Sequence, residues 1–210
     1  MIALIDHGLT DYQQLLDSIP SPLATREQIF IISDVSWQDY QGLLTLLGDN
    51  STFILKYSRQ TLQVMSPSYR HEFYKEKIGI LLEAYLQEKS IRFYSLGSTT
   101  FRSALTQWGI ELDKSYCFKS RKNIPDLAIE IVLTSGSIDS LEIYQALGVP
   151  EVWFWQNNQL DVYYLNKKNY EKVNQSELLP GLDLTLFASY IAWKEPFDAV
   201  LAFRQKIRGN

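Results

Sequence analysis

Residues 125–144 read PDLAIEIVLTSGSIDSLEIY, in which Asp126 and Glu130 bracket an apolar run and no basic residue occurs. On a strand, residues of equal parity share a face. Asp126, Ala128, Glu130 and Val132 therefore point one way, and Leu127, Ile129 and Ile131 the other. The second face is apolar enough to be buried outright. The two acids on the first face stand roughly 13 Å apart by strand rise, too far to share one ion directly. A buried carboxylate is costly unless it is paired or metal-bound, so Glu130 needs either a metal and a second carboxylate or a basic or helix-terminal partner. The best second carboxylate is Asp113 in GIELDKS, with Glu111 on the same strand face. Either approaches Glu130 if the two segments pair.

Working outward, the pattern predicts a compact helix over Ile138–Leu147, stopped by Gly148 as a C-cap ahead of Pro150. EVWFWQ, QLDVYYL and YEKVN follow, joined by the turns NN and NKKN, as an antiparallel extension at a sheet edge. Strand, helix and strand across 126–156 imply a right-handed parallel crossover. Upstream, Ile78, Leu81, Leu82, Tyr85 and Leu86 form one apolar stripe at helical spacing, behind a start at Ser66, Pro67 and Ser68. Ser36 and Asp39 make a capping box for a helix over Val35–Leu47, and FILKYS and TLQVM around SRQ read as a hairpin. IRFYSL, STTFRS, GIELDKSYCF and DLAIEIV read as further strands. The architecture is therefore α/β or α+β, with a mixed sheet flanked by helices. Residues 1–30 read as an N-terminal arm before a strand near Ile29–Ile32, 31–192 as the main domain, and 193–210 as a helical tail, with helix from Leu184 to Ile207 broken around Lys194–Pro196.

At 210 residues, 46% hydrophobic and 21% charged, the composition is globular. The single cysteine, Cys117, excludes an internal disulfide framework and fits a reducing compartment. No apolar run approaches membrane-span length, and no basic region precedes an apolar core at the N-terminus, so the expected location is cytoplasmic. A net charge of −4 argues against whole-surface nucleic-acid binding and leaves a local basic site, for which Lys119, Arg121 and Lys122 form one short cluster. Zinc, Walker-loop, dinucleotide-fold and nucleophile-elbow patterns are absent, and only His7 and His71 could serve a triad.

Taken as an ordered set, VSWQDYQGLL, LQVMSPSYRHE, YSLGSTTFR, ELDKSYCF, IPDLAIEIVLTSGSID and LEIYQALGVPEVWFW resemble the Uma-type family of bacterial endonucleases. That family is long filed as a domain of unknown function and is placed in the PD-(D/E)XK, restriction-endonuclease-like superfamily. The resemblance covers about residues 35–165. It implies a nuclease core holding Mg²⁺ (or Mn²⁺), with Asp113 and Glu130 as metal ligands and Glu72 as the helix acid. Asp126 matches the acid that precedes the strand. In such sites the metal activates water and a lysine helps orient or deprotonate the nucleophile. The superfamily lysine position after Glu130 is Val132, and the family's alternative position, on the following helix, is Ser140. Lys114, Lys119 and Lys122 are the candidate substitutes. Leu112 stands where the family has a proline before Asp113.

Two functions follow. One is Mg²⁺-dependent hydrolysis of nucleic acid, DNA by the resemblance. The other, motivated by Ser140, is a degenerate nuclease fold acting as a nucleic-acid-binding or protein-interaction module. A blander reading is a protein-binding domain, in which Trp153, Phe154, Trp155, Tyr163 and Tyr164 supply a homodimer surface, although Trp153 and Trp155 share one strand face and suit a core. His71, close to the apolar stripe, reads as packed rather than catalytic.

Overall fold

The computed structural model describes residues 2–5, 26–48, 53–134 and 138–209. Its first elements are β1 (Ile2–Ile5), β2 (Gln28–Ile32), α1 (Trp37–Leu47), β3 (Ile54–Ser58), β4 (Thr61–Ser66) and α2 (Tyr69–Glu88). Then come β5 (Phe93–Ser95), β6 (Thr100–Ser103), β7 (Trp108–Glu111), β8 (Lys114–Phe118) and β9 (Leu127–Val132). The last are α3 (Ser140–Leu147), β10 (Glu151–Gln156), β11 (Gln159–Asn166), β12 (Asn169–Val173), α4 (Leu184–Ile191) and α5 (Pro196–Arg208). They fall into two compact units. The first comprises Met1–Glu72, Thr100–Glu111 and Thr134–Leu147, the second Phe73–Thr99, Leu112–Leu133 and Gly148–Asn210. No helix among the described residues is long and apolar enough to cross a membrane.

The first unit holds a sheet of order β1-β2-β4-β3-β7-β6. Only β1 and β2 run parallel, and β1 lies within the stretch read from sequence as an arm. The hairpin expected around SRQ is present: Ser58 faces Thr61, and Arg59 and Gln60 both take positive φ, 50° and 63°. Two left-handed central residues give a turn whose twist matches that of the strands. Helix α1 begins at the expected capping box, with the Asp39 N–H donating to Ser36 Oγ and the Ser36 N–H to the Asp39 carboxylate, both at 3.1 Å.

One face of this sheet is apolar. Ile32, Leu55, Tyr57, Leu62 and Val64 pack with Val35, Tyr40 and Leu43. The Tyr40 ring stacks on Tyr57 with centroids 4.8 Å apart, and Gly109 lies opposite Tyr57 in the register. A Cβ at Gly109 would stand 2.2 Å from the Tyr40 hydroxyl, so this strand position must be glycine for the ring to lie where it does. Burial holds the Tyr40 phenol well above the ordinary tyrosine range.

The second unit holds a mixed sheet of order β12-β11-β10-β9-β8-β5, in which β9 and β10 run parallel and every other pair antiparallel. The antiparallel extension expected beyond β10 is thus found. The odd-numbered face of β9 (Leu127, Ile129, Ile131) joins Tyr116, Trp153, Trp155 and the α2 stripe Ile78, Leu81, Leu82, Tyr85 and Leu86 in one core. Burial of each such side chain contributes about 1.5–3 kcal/mol, whereas an exposed ion pair contributes about 0–1 kcal/mol. Packing of the stripe therefore dominates the docking of α2. Phe187, Ile191, Phe203 and Ile207 extend the same core into α4 and α5, and the helical tail breaks before Pro196 as expected.

Two expectations are corrected. GIELDKSYCF is not one strand: Trp108–Glu111 belongs to the first sheet and Lys114–Phe118 to the second, so there are two sheets rather than one. Leu112 is 1% exposed at the break, and its N–H donates to Thr99 O at 3.2 Å. Glu111 pairs with Thr100 in β6 and does not share a strand face with Asp113. Of the aromatic run, Trp153, Phe154 and Trp155 are core, at 0%, 9% and 1% exposed, whereas Tyr163 and Tyr164 on β11 are half-buried.

Gly109→Ala should displace the Tyr40 ring and destabilise the protein by about 1–3 kcal/mol, the usual cost of overpacking, read as a lowered midpoint in urea unfolding. At the other core, Glu88 accepts from Arg204 at 2.6 Å and from Arg208 at 2.7 and 2.8 Å, tying α5 to α2. Hydrogen bonding from Arg208, then Arg204, lowers the Glu88 carboxyl to about 2. A depressed carboxylate contributes its stability above the unfolded value and loses it as pH falls through the folded one. Glu88→Gln should therefore lower Tm at neutral pH and flatten its fall between about pH 4.5 and 2, as measured by circular dichroism.

Candidate active site

In the second unit, β8 and β9 are antiparallel with Lys114 opposite Ile129, Ser115 opposite Ala128 and Tyr116 opposite Leu127. Asp113 lies in the bend just before β8, outside that ladder, and Glu130 lies on β9 next to Ile129. Both acids are 2% exposed. The Ile131 N–H donates to Asp113 Oδ2 at 2.7 Å, which orients the Asp113 carboxyl along the β9 backbone. Glu130 faces away from the aliphatic core because its parity differs from that of Ile129 and Ile131. The Asp113 carboxyl is thus bound to the backbone of the residue that follows Glu130.

Asp126 has a different local environment. One of its oxygens accepts the Phe118 N–H at 2.7 Å, and the Lys122 ammonium lies 2.6 and 2.7 Å from the two. It closes the β8–β9 connection. Lys122 is thereby committed to Asp126. Lys114 sits opposite Ile129 on the core side and reaches Glu76 of α2 at 3.2 Å. Lys119 occupies a left-handed turn position with φ 70° and is exposed. None of the three candidate substitutes is presented beside Glu130 on its own face.

In the first unit, Ser140 opens α3 and is 9% exposed. Its Oγ accepts from the Lys56 ammonium at 2.9 Å, across 84 residues of sequence. Sequence reasoning missed Lys56. The available signal was a lysine at the centre of FILKYS, an otherwise apolar strand. Glu72 lies half-buried in the first turn of α2, where its N–H donates to Ser68 O at 3.1 Å. His71 is fully buried, with Nδ1 3.3 Å from Glu27, in agreement with its reading as a packed residue.

Mg²⁺ is a hard cation that commonly binds through one or two carboxylates, completing its shell with water and substrate phosphate oxygens. Asp113 and Glu130 are both buried carboxylates, and their chemistry fits that donor set. Among the described residues no group of three or more His, Cys, Asp or Glu side chains could by itself enclose a metal ion.

Residues 37–190 match the model of the Uma2 family, described as "Putative restriction endonuclease". The match spans most of the chain, and the chain belongs to this family. Among solved structures it is similar to a crystal structure described as a putative nuclease belonging to DUF820 from Anabaena variabilis ATCC 29413. The identity is 13% and the TM-score 0.47, over 80% of this chain and 98% of that one. No curated protein matches the chain. The family resemblance carried by the sequence motifs is thus borne out.

Asp126→Ala should strand the Phe118 N–H and cost about 1–3 kcal/mol, the penalty of an unsatisfied buried donor. Chemical denaturation checks it, and an unchanged unfolding free energy would mean that Asp126 does not hold the β8–β9 connection together.

Proposed function

We propose that this protein is a metal-dependent endonuclease that hydrolyses phosphodiester bonds, with DNA as substrate. The observation that carries the reading is the burial of two carboxylates, Glu130 on β9 and Asp113 bound to the next residue's N–H, in a chain of a family described as putative restriction endonucleases. Mg²⁺ or Mn²⁺, when bound, supplies Lewis-acid charge neutralisation and an activated water. Asp113 and Glu130 are the residues to hold it, Asp113 with its carboxyl oriented by the Ile131 N–H. Glu72 is the supporting acid. In the reaction a water oxygen bonds to phosphorus, one P–O ester bond breaks, and the departing alkoxide takes up a proton to leave a hydroxyl. Lys119 and Arg121, exposed in the β8–β9 connection, are available to backbone phosphates in a chain whose net charge is otherwise −4.

The competing reading, a nuclease fold that binds without cleaving, is favoured by Ser140 at the position where the family resemblance expects a lysine. Incubation with supercoiled plasmid and either Mg²⁺ or Mn²⁺ separates the two. Nicking that EDTA abolishes, and that the Asp113→Ala, Glu130→Ala double variant lacks, is the expected result. Undiminished cleavage by the double variant would end the proposal, and metal-independent DNA binding without cleavage would favour the alternative.

A further inference from the structure

The chain carries a net charge of −4, yet the β5 edge of the second sheet gathers cations. Helix α2 ends there in a left-handed turn. Ser90 takes φ 54°, its N–H donates to Gln87 O at 3.0 Å, and the Ile91 N–H donates to Leu86 O at 2.8 Å. This pattern closes a helix and redirects the chain, and it leaves Lys89 and Arg92 exposed on either side of the turn. The β8–β9 connection starts beside it. The Lys119 N–H donates to Arg92 O at 3.0 Å, and Phe93 faces Phe118 in the register. Lys119 and Arg121 are exposed in that connection.

The acids that flank these segments in sequence are already bound, Asp126 by Lys122 and Glu88 by both Arg204 and Arg208. Lys89 Nζ donates to the Ile207 carbonyl at 2.9 Å. Among the described residues none of Lys89, Arg92, Lys119 and Arg121 has a carboxylate partner. Cations clustered without counter-charges are the electrostatic footprint of an anionic partner. No exposed large apolar side chain belongs to these two segments, so the surface offers charge without an apolar anchor for a membrane. Its position also relates it to the acids of the same unit. Asp113 directly precedes β8 and Lys119 directly follows it, a separation of about 20 Å by strand rise. Phosphates recur about every 3.4 Å of axis along a DNA strand, so that span corresponds to about six nucleotides.

We infer that Lys89, Arg92, Lys119 and Arg121 bind the phosphate backbone of a DNA substrate about six nucleotides to one side of the phosphate at the acids. The inference rests on the nuclease reading above and adds to it a second contact, which gives the substrate a direction along β8 and a minimum length. Contacts of this kind supply affinity and position without sequence preference.

The triple variant R92Q/K119Q/R121Q tests the surface, and K167Q/K168Q/K194Q makes the same charge change at other exposed positions of the unit. Both should melt as the wild type does, since surface substitutions of this kind alter stability little. Fluorescence anisotropy with a labelled DNA duplex in EDTA reads binding apart from cleavage. The unmodified chain should bind. The R92Q/K119Q/R121Q variant should bind at least about tenfold more weakly at about 50 mM salt, with its salt slope reduced by about 2–3, and the control should shift neither. Binding by that variant within about threefold of wild type would overturn the inference, as would an equal loss in the control or an unmodified chain that binds no DNA. Retention on anionic lipid vesicles or polyglutamate in place of DNA would overturn it as well. With Mg²⁺, short hairpins whose stems end within about four base pairs of the nick should show a raised KM with wild type and no further rise with the triple variant. A wild type indifferent to stem length would overturn the placement. Absence of nicking with binding as expected would remove the nuclease reading and leave the phosphate surface standing.

Discussion

The hydrogen bond from the Ile131 N–H to Asp113 ties the bend before β8 to β9, beside a second buried acid, Glu130. The strand pairing that brings Asp113 to β9 is held from the other side of the sheet. There Tyr116, Leu127 and Ile129 lie in the core beneath the α2 stripe. The parity of β9 does the sorting. Its odd residues drive burial and its even residues carry Glu130, so the apolar contacts that stabilise the unit also fix where the acid stands. The Ile131 N–H then orients Asp113 through a backbone donor, which cannot rotate away as a side chain can.

The acids of PDLAIEI divide their work. Asp126 saturates itself locally, with a backbone N–H and a lysine four residues back, so its charge is spent on shaping the β8–β9 connection. Glu151 is handled similarly at the start of β10, where Trp153 Nε1, Ser176 Oγ and the N–H groups of Glu177 and Leu178 all donate to it. Burial alone therefore does not mark a carboxylate as chemical, since Glu151 is more deeply buried than Asp113 or Glu130.

The basic residues show the same division. Lys114 and Lys122 each have an acidic partner within their own unit, and neither serves the pair. Lys56, on a strand face that is otherwise apolar, donates to Ser140 Oγ within the first unit.

The amino-acid sequence by itself determined what depends on short-range periodicity. The α2 stripe, the capping box at Ser36, the β3–β4 turn, the helix stop at Gly148 and the face on which Glu130 lies all follow from spacings of a few residues, because helix and strand repeats are local geometry. Family membership was legible for a related reason, as an ordered set of motifs. Tertiary structure alone decided the rest. Whether GIELDKSYCF continued or broke at Leu112 could not be read, since both halves alternate alike and only their hydrogen-bonding partners assign them to different sheets. That Glu111 pairs within the first sheet while Asp113 is bound to β9 depends on the same break. And Lys56 meets Ser140 across 84 residues, a pairing that no local pattern encodes, because it exists only once the strand and helix have been packed together.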